Sequence, residues 1–165
     1  MHANGARKTS YRSGEASVDL EGEYRFNAPR EQVWAMLQDP EVLRAAIPGC
    51  EVLTEVGPAS YDMTVKLGIA AIRGTYEGNV TMSDPKPIES YQLKASGSGK
   101  GGSVDGAATI SLAEDGDGTL LTYAADVKAR GAVARVGGRL VRSAAKMMAG
   151  RFFDAVSEQI VHADG

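Results

Sequence analysis

The hydrophobic pattern of this chain changes its period once, and that change constrains the fold more than any other feature. Between Val18 and Val127, stretches of the sequence alternate apolar and polar residues, which is typical of antiparallel strands with one buried face. From about Val133 to Ile160, apolar residues recur about every four positions, which indicates a long amphipathic helix. Because a one-sided sheet needs a cover, the sequence predicts an α+β fold with a curved antiparallel sheet around a long C-terminal helix.

The strand segments are separated by short turn-forming sequences. The glycine-rich tract 96–103 is predicted to be a hairpin connection, because no helical pattern follows it as a phosphate-binding loop would require. Gly74 and Gly78 fall on the inner side of their strand, where they let the sheet bend or leave room for a guest molecule. The predicted strands cover residues 18–26, 60–67, 72–82, 91–95, 104–112 and 121–127.

Two short helices are predicted after the first strand. Pro29 can begin a helix, and an apolar stripe that includes Trp34 follows it. The segment Asp39–Glu51 then joins a mixed apolar stretch to the stiff corner Pro48-Gly49. Small helices between a first strand and the remaining sheet indicate a helix-grip fold, which holds an apolar molecule between the sheet and the long helix.

Length and composition favour one cytoplasmic domain. The 165 residues suffice for a single core, and the net charge of −3 gives no reason to expect nucleic acid. Cys50 is the only cysteine, so no internal disulfide can form. Met1–Ser17 has no hydrophobic periodicity, and we expect residues 1–17 to be a disordered extension before a ligand-binding domain at 18–162.

The sequence offers little support for catalysis. His2 and His162 lie at the two ends, and no base is evident beside Cys50, so we predict no catalytic residues and no metal site. Tyr76 and Tyr123 are among the better candidates for chemistry, because a buried tyrosine keeps a polar tip in apolar surroundings. An enzyme therefore stays an alternative.

Apolar residues from the corner, the sheet and the helix would line the space under the helix. Methionine adapts to irregular shapes, which suits a site for a flexible or planar apolar ligand, whereas the alternative is a well-packed core. The predicted ligand-binding residues are Trp34, Leu43, Ile47, Met63, Val65, Leu67, Tyr76, Met82, Leu93, Met147, Met148, Phe152 and Phe153.

A basic segment covers the start of the long helix. Residues 127–153 contain seven basic residues and no acidic one, so the rest of the chain carries −10. Arg135, Arg139, Arg142 and Lys146 follow four-three-four spacing, which predicts one exposed face that contacts anionic lipid or an acidic partner. The alternative is a solvated face that contributes only to solubility.

Several short motifs, taken in order, resemble the family of the carbon monoxide dehydrogenase subunit CoxG, within the START-like (SRPBCC) helix-grip superfamily. Together they extend over most of the chain, from about Leu20 to Ile160. They are Gly22–Phe26, Pro29 with Val33-Trp34, Asp39-Pro40, Ile47–Glu51, Gly74–Gly78, Thr119 with Tyr123, and Gly131–Ala134 leading to Gly138-Arg139.

The resemblance implies a non-catalytic accessory protein of a molybdenum hydroxylase. Such a protein would bind a quinone or lipid, need no other cofactor, and help membrane recruitment or electron transfer at the inner face of the cell membrane. Two alternatives stay open: a cyclase- or hydrolase-like enzyme on the same fold, and a protein-interaction module with a solid core.

Overall fold

A computed structural model describes residues 9–12, 15–68 and 73–164 of the chain. Within these described residues, eight strands and four helices follow one another. The strands are β1 (Thr9–Arg12), β2 (Glu15–Phe26), β3 (Cys50–Gly57), β4 (Ser60–Leu67), β5 (Gly74–Lys86), β6 (Ser90–Gly99), β7 (Gly102–Asp115) and β8 (Gly118–Arg130). The helices are α1 (Arg30–Leu37), α2 (Pro40–Ala46), α3 (Ala132–Arg135) and α4 (Gly138–Asp164).

The strands form one antiparallel sheet in the order β1-β2-β8-β7-β6-β5-β4-β3. Strands β3 to β8 make a continuous meander, and β2 joins its far end by pairing with β8. Helices α1 and α2 carry the chain from β2 to β3, and α4 packs against β2 and α2. The predicted α+β architecture, with a curved sheet, two short helices and a long C-terminal helix, is confirmed.

The sheet begins earlier than the sequence pattern indicated. Strand β2 starts at Glu15, and β1 pairs with it through residues 9–12. Residues 9–12 and 15–17 therefore belong to the sheet and not to an extension. Ala16 is fully buried and lies opposite Ala129 of β8. A small residue such as alanine adds little to a hydrophobic pattern, which explains why the boundary was set at Val18. Residues 1–8, 13 and 14 of the predicted extension lie outside the described residues.

Strand β3 was not predicted, and its position explains why. It is the last strand of the sheet, with β4 as its only neighbour, and its pairing is interrupted by two register shifts. Most of its side chains are exposed, including Val52 and Val56. A strand without a buried face carries no period-two pattern, so alternation could not identify it.

The long helix is interrupted near its start, where one continuous helix was predicted. Gly137 separates α3 from α4 and adopts a φ of 92°, a conformation that glycine reaches without strain. The buried stripe of α4 includes Val141, Phe153 and Val156. Leu140, which the sequence pattern placed on the apolar stripe, is instead 54% exposed.

Candidate ligand-binding site

The hydrophobic interior consists of two clusters rather than one. The first surrounds Phe26 and joins α1, α2 and the C-terminal half of α4 to the sheet. The second surrounds Val18 and Ala129 and joins α3 and Val141 to the sheet. Tyr123 of β8 packs against both clusters. The region between them is therefore the part of the inner face where packing is least complete.

Small residues occupy the inner face of the sheet in this region. Ala108 of β7 packs at the border of the first cluster, and its partner Ala125 of β8 packs at the border of the second. We call the small inner residues of this region the floor, which consists of Gly78, Ala95, Gly97, Gly106, Ala108 and Ala125. All six are only half-buried, although they lie on the inner side of central strands.

The floor has room above it. A Cβ atom built on Gly106 would have its nearest neighbour, the carbonyl oxygen of Asp126, 3.7 Å away, and one built on Gly97 would be 3.9 Å from its nearest neighbours. A methyl group would therefore fit at either position, whereas one at Gly78 would collide with the backbone of Ser96. These small inner residues also keep accessible surface, and we call the region above them, between the two clusters, the groove.

Most of the predicted ligand-binding residues belong to one of the two clusters or pack against it. Leu43, Met82 and Phe153 are buried in the first cluster, with Trp34, Ile47, Met63, Leu93 and Phe152 partly buried against it. Tyr76 belongs to the second cluster, and Leu67 packs against it. Val65 is buried but belongs to neither cluster, and Met148 is half-buried between them along α4.

Met147 does not line the groove. Its side chain is 43% exposed, and it lies nine residues from the buried Val156, which places the two on opposite faces of α4. The sequence favoured Met147 only because it neighbours Met148 within an apolar run. We therefore leave Met147 out of the ligand site.

An aromatic cluster forms one wall of the groove. Phe153 contacts the rings of Tyr24, Phe26, Tyr123 and Phe152 at centroid distances of 5.3–6.2 Å. The Tyr24 hydroxyl donates a hydrogen bond to Oδ1 of Asp154 at 2.7 Å, which ties β2 to α4 at this point. Such ring contacts fix the helix over the sheet on this side of the groove.

The position of Tyr123 explains two of the short motifs in the sequence. Tyr123 lies directly opposite Gly22 in the pairing of β2 with β8. A Cβ atom at residue 22 would lie only 2.5 Å from the Tyr123 hydroxyl oxygen, so the ring lies over the glycine. Any larger residue at position 22 would displace the ring from the groove wall.

The inner tyrosines remain neutral near pH 7. Burial raises the pKa of the Tyr76 and Tyr123 hydroxyls, because the phenolate would lose its hydration. A neutral phenol can donate a hydrogen bond to a carbonyl oxygen of a bound molecule. The groove thus combines apolar walls with the hydroxyl donor of Tyr123.

Two further clefts are open and polar. One lies on the outer face of the sheet, has a volume of about 520 Å³ and includes Lys94 and Asp105, and the floor residues Ala95 and Gly106 also border it. The other, of about 560 Å³, combines outer-face residues such as Glu21 and Thr122 with Lys146 of α4. Neither is lined by any of the predicted ligand-binding residues. These clefts do not resemble a site for an apolar ligand.

The predicted basic face is only partly formed. Arg142 is half-buried, and its Nε and Nη2 atoms donate hydrogen bonds to the backbone oxygen of Asp19 at 3.1 and 3.0 Å, so it serves to fix α4 to β2. Arg135 belongs to the separate helix α3. Arg139 and Lys146 are exposed on α4, as expected.

Sequence reasoning found Gly78 but missed the other residues of the floor. The signal was present, because small residues recur at inner positions of the neighbouring strands β5 to β8. Glycine and alanine contribute little to a hydrophobic pattern, so attention fell on the larger residues around them. The register of the strands is needed to see that Ala108 and Ala125 are adjacent.

The sheet, the long C-terminal helix and the groove between them define a helix-grip protein of the START-like and Bet v 1-like class. Within that class, the family model of the carbon monoxide dehydrogenase subunit CoxG matches residues 22–161. The chain belongs to this family. A search of curated proteins gives no match.

Solved structures show the same fold. A conserved protein from Geobacillus kaustophilus is 31% identical, with a TM-score of 0.85 over 88% of this chain and 96% of its own. A START superfamily protein from Mycobacterium smegmatis is 14% identical, with a TM-score of 0.69 over 88% of this chain and 98% of its own. Norcoclaurine synthase from Thalictrum is 14% identical, with a TM-score of 0.63 over 93% of this chain and 100% of its own.

The described residues contain neither a candidate metal site nor a membrane-spanning helix. No group of three or more histidine, cysteine, aspartate or glutamate residues is arranged to hold a metal ion within the part of the chain that the structure describes. None of the described helices is both long enough and apolar enough to cross a bilayer.

Proposed function

We propose that this protein is a non-catalytic accessory protein of a molybdenum hydroxylase of the carbon monoxide dehydrogenase type, and that it binds an apolar ligand in the groove. The half-exposed floor supports the proposal most strongly. Small inner residues flanked by methionines and aromatic rings leave space for a planar or chain-like apolar molecule. Membership of the CoxG family supports the accessory role and the partner class.

The chemistry of the groove favours a quinone. A quinone ring is planar and apolar, and it carries carbonyl oxygens that accept hydrogen bonds. The aromatic wall at Phe153 can contact such a ring, and the neutral hydroxyl of Tyr123 is a donor on the same wall. A lipid acyl chain would use only the apolar surface. Carrying a quinone between membrane and enzyme would assist electron transfer.

A direct test measures binding of a short quinone to the purified protein. Trp34 is the only tryptophan and packs against the first cluster, so quenching of its fluorescence by added menadione reports binding. Organic extraction followed by mass spectrometry identifies any ligand that copurifies. We expect saturable quenching and a quinone or lipid in the extract, and the absence of both would contradict the ligand-binding proposal.

A matched pair of variants locates the site. Ala125→Leu places three additional carbons on the floor, whereas Ala124→Leu places them at the neighbouring exposed position on the outer face. We expect Ala125→Leu to weaken menadione binding about tenfold or more, as displacement of roughly 1.4 kcal/mol of contact would do. Ala124→Leu should bind like the wild type, and equal weakening by both variants would place the ligand elsewhere.

An enzyme on the same fold is the second candidate. The raised pKa values of two inner tyrosines favour this alternative. Norcoclaurine synthase, whose fold is similar, is named as an enzyme. Under this alternative, the ligand would be converted when incubated with the protein. Recovery of unchanged quinone after prolonged incubation would favour the binding protein.

A further inference from the structure

Strand β2 is paired on both sides at its start, but the rest of it has an open edge. Strand β1 pairs with residues 15–18 of β2, whereas β8 pairs with β2 along its whole length, from Glu15 to Phe26. None of the described strands pairs with β2 beyond Val18 on the side away from β8. Residues 19–25 therefore present a strand edge with which an extended chain can pair.

The backbone groups of alternate β2 residues point toward this open edge. The carbonyl oxygen of Asp19 accepts hydrogen bonds from the Arg142 side chain at 3.1 and 3.0 Å, so it is turned away from β8. Because the N–H and C=O of a strand residue share one side and the sides alternate along the strand, Glu21, Glu23 and Arg25 face the same edge. In the part of the chain that the structure describes, no hydrogen bond engages the edge-facing backbone groups of these three residues.

The open edge of β2 is regular, unlike the open edge at the other end of the sheet. Pairing of β2 with β8 runs through twelve consecutive positions without a register shift. The pairing of β3 with β4 is interrupted twice. Irregular pairing is one of the ways in which proteins protect an edge strand from further pairing. Strand β3 has this protection, whereas β2 keeps the geometry of a template for an added strand.

The side chains beside this edge are acidic and lack ion pairs. Asp19, Glu21 and Glu23 occupy alternate positions on the outer face, and the residues opposite them on β8 include Asp126 and no cation. A hydrogen bond to Asp19 and burial raise the pKa of the Asp126 carboxyl, as expected where negative charge is crowded. The ion pairs of the described residues involve other carboxylates. The edge therefore attracts positive charge.

A segment can approach the edge from solvent. The open cleft of about 560 Å³ is bordered by residues 20–23, whose side chains alternate between the two faces of the sheet, and by Arg142 and Lys146 of α4. Because residues from both faces and from the helix border it, the cleft reaches the edge of β2.

We propose that this edge binds an extended segment of a partner protein that carries basic residues at alternate positions. The segment pairs with residues 21–25 of β2 as an added strand, and its basic side chains lie beside Glu21 and Glu23 on the outer face. A second copy of this chain fits poorly, because two such edges would bring like charges together. The proposal does not depend on a ligand in the groove.

Fluorescence anisotropy of a labelled peptide tests the proposal with the full chain. The probe is the fluorescein-labelled amide of Thr-Lys-Val-Lys-Val-Lys-Thr, in which the lysines share one side of an extended strand. The control peptide, Thr-Lys-Lys-Lys-Val-Val-Thr, has the same composition and charge without the alternation. We expect saturable binding of the probe that weakens as salt is added, and binding of the control about tenfold or more weaker. Equal binding of the two peptides, or binding of neither, would overturn the proposal.

Hydrogen exchange shows whether the peptide adds as a strand. The backbone amides of Glu21 and Glu23 should exchange about tenfold or more slowly when the probe is bound, because an added strand protects them. Unchanged exchange despite binding would reveal a contact through charge alone and contradict the proposal.

The same measurement without peptide identifies other occupants of the edge. Protection of these amides that grows with protein concentration would assign the edge to a second copy of the chain. Protection that disappears when residues 1–8 are removed would assign it to the chain's own N-terminal segment. Either result would overturn the assignment to a partner protein.

Paired variants locate the site. Glu21→Gln with Glu23→Gln should weaken binding of the probe about threefold or more, because two exposed charge pairs are lost. The control, Glu51→Gln with Glu55→Gln, removes two exposed glutamates from β3 at the other open edge. The control should bind like the wild type, and equal loss in both would contradict the proposal. Circular dichroism checks that the variants fold, and menadione quenching of Trp34 should be unchanged in both, so the peptide and quinone proposals can fail separately.

Discussion

At the scale of single residues, Thr119 shows how one buried polar group fixes the frame of the site. Its side chain is fully buried, and its hydroxyl donates a hydrogen bond to the backbone oxygen of Ala28 at 2.7 Å. Ala28 lies between β2 and α1, so the bond ties the start of the helical segment to β8. This contact explains why Thr119 belongs to the motif that it forms with Tyr123.

Thr119→Val keeps the shape of the side chain and removes the donor. The Ala28 carbonyl would then be buried without a partner, which should lower the free energy of unfolding by about 1–3 kcal/mol. Urea denaturation followed by Trp34 fluorescence measures the change. Thr122→Val, at an exposed position of the same strand, is the matched control and should change stability by less than about 0.5 kcal/mol. Equal effects would show that the hydrogen bond contributes nothing.

At the scale of structural elements, Gly49 controls how the chain passes from α2 into the sheet. It has a φ of 74°, and its carbonyl accepts a hydrogen bond from the backbone nitrogen of Lys66 at 2.8 Å. A Cβ atom at this position would lie 2.1 Å from the Lys66 oxygen. The corner Pro48-Gly49 therefore holds β3 against β4 through a backbone approach that only glycine permits.

Gly49→Ala should be strongly destabilising. The left-handed conformation and the contact with Lys66 together should cost about 2 kcal/mol or more, measured as a lower midpoint of thermal unfolding and lower unfolding free energy. Gly57→Ala is the control, because it lies at the other end of β3 and its Cβ would be 3.9 Å from its nearest neighbour. A Gly49→Ala variant as stable as this control would mean that the corner adjusts freely.

The elements also show what sequence could and could not predict. Alternation identified β2 and β4 to β8 because each buries one face, and it failed at β3, whose side chains are mostly exposed. Helical periodicity continued through Gly137, because a single glycine does not disturb an apolar spacing, although φ there interrupts the helix. The short helix α2 was predicted correctly. Asp39 caps it by accepting a hydrogen bond from the Glu41 nitrogen.

The candidate site was predicted less completely than the fold. Large apolar residues such as Met63 and Phe153 were chosen from their periodicity, and both lie in or against the first hydrophobic cluster. Apart from Gly78, the floor was missed because its residues are small and because adjacency across strands depends on register. Arg142 could not be separated from the free cations, since its spacing in the sequence matches theirs and only its contact with Asp19 distinguishes it.

At the scale of the whole molecule, the interior is divided into two hydrophobic clusters, and this division favours a groove over a solid core. Leu43 shows how tightly the first cluster is packed: it is 6% exposed, and α2 is tied to α4 by a hydrogen bond from Gln159 to the Val42 oxygen. A charged residue in place of Leu43 would therefore disrupt the packing of α2, and it would not test ligand retention. The floor, by contrast, has room for a methyl group at Gly97 and Gly106.

The sign of one stability change distinguishes the two interiors. Ala125 lies where the second cluster borders the first, opposite Ala108 on β7. If the space above it is open, Ala125→Leu buries new apolar surface that bridges the clusters, and the free energy of unfolding should rise by about 1 kcal/mol. In a solid core, the same substitution would overpack the interior and lower that free energy by about 1–3 kcal/mol.

Urea denaturation of ligand-free protein, extracted beforehand with organic solvent, measures this change, and Ala124→Leu on the outer face corrects for the intrinsic effect of leucine in a strand. We expect Ala125→Leu to be more stable than both the wild type and the control while binding menadione less well. Opposite signs for stability and binding follow only if ligand and leucine occupy the same space. A less stable Ala125→Leu would instead favour a solid interior and a module that acts through its surface alone.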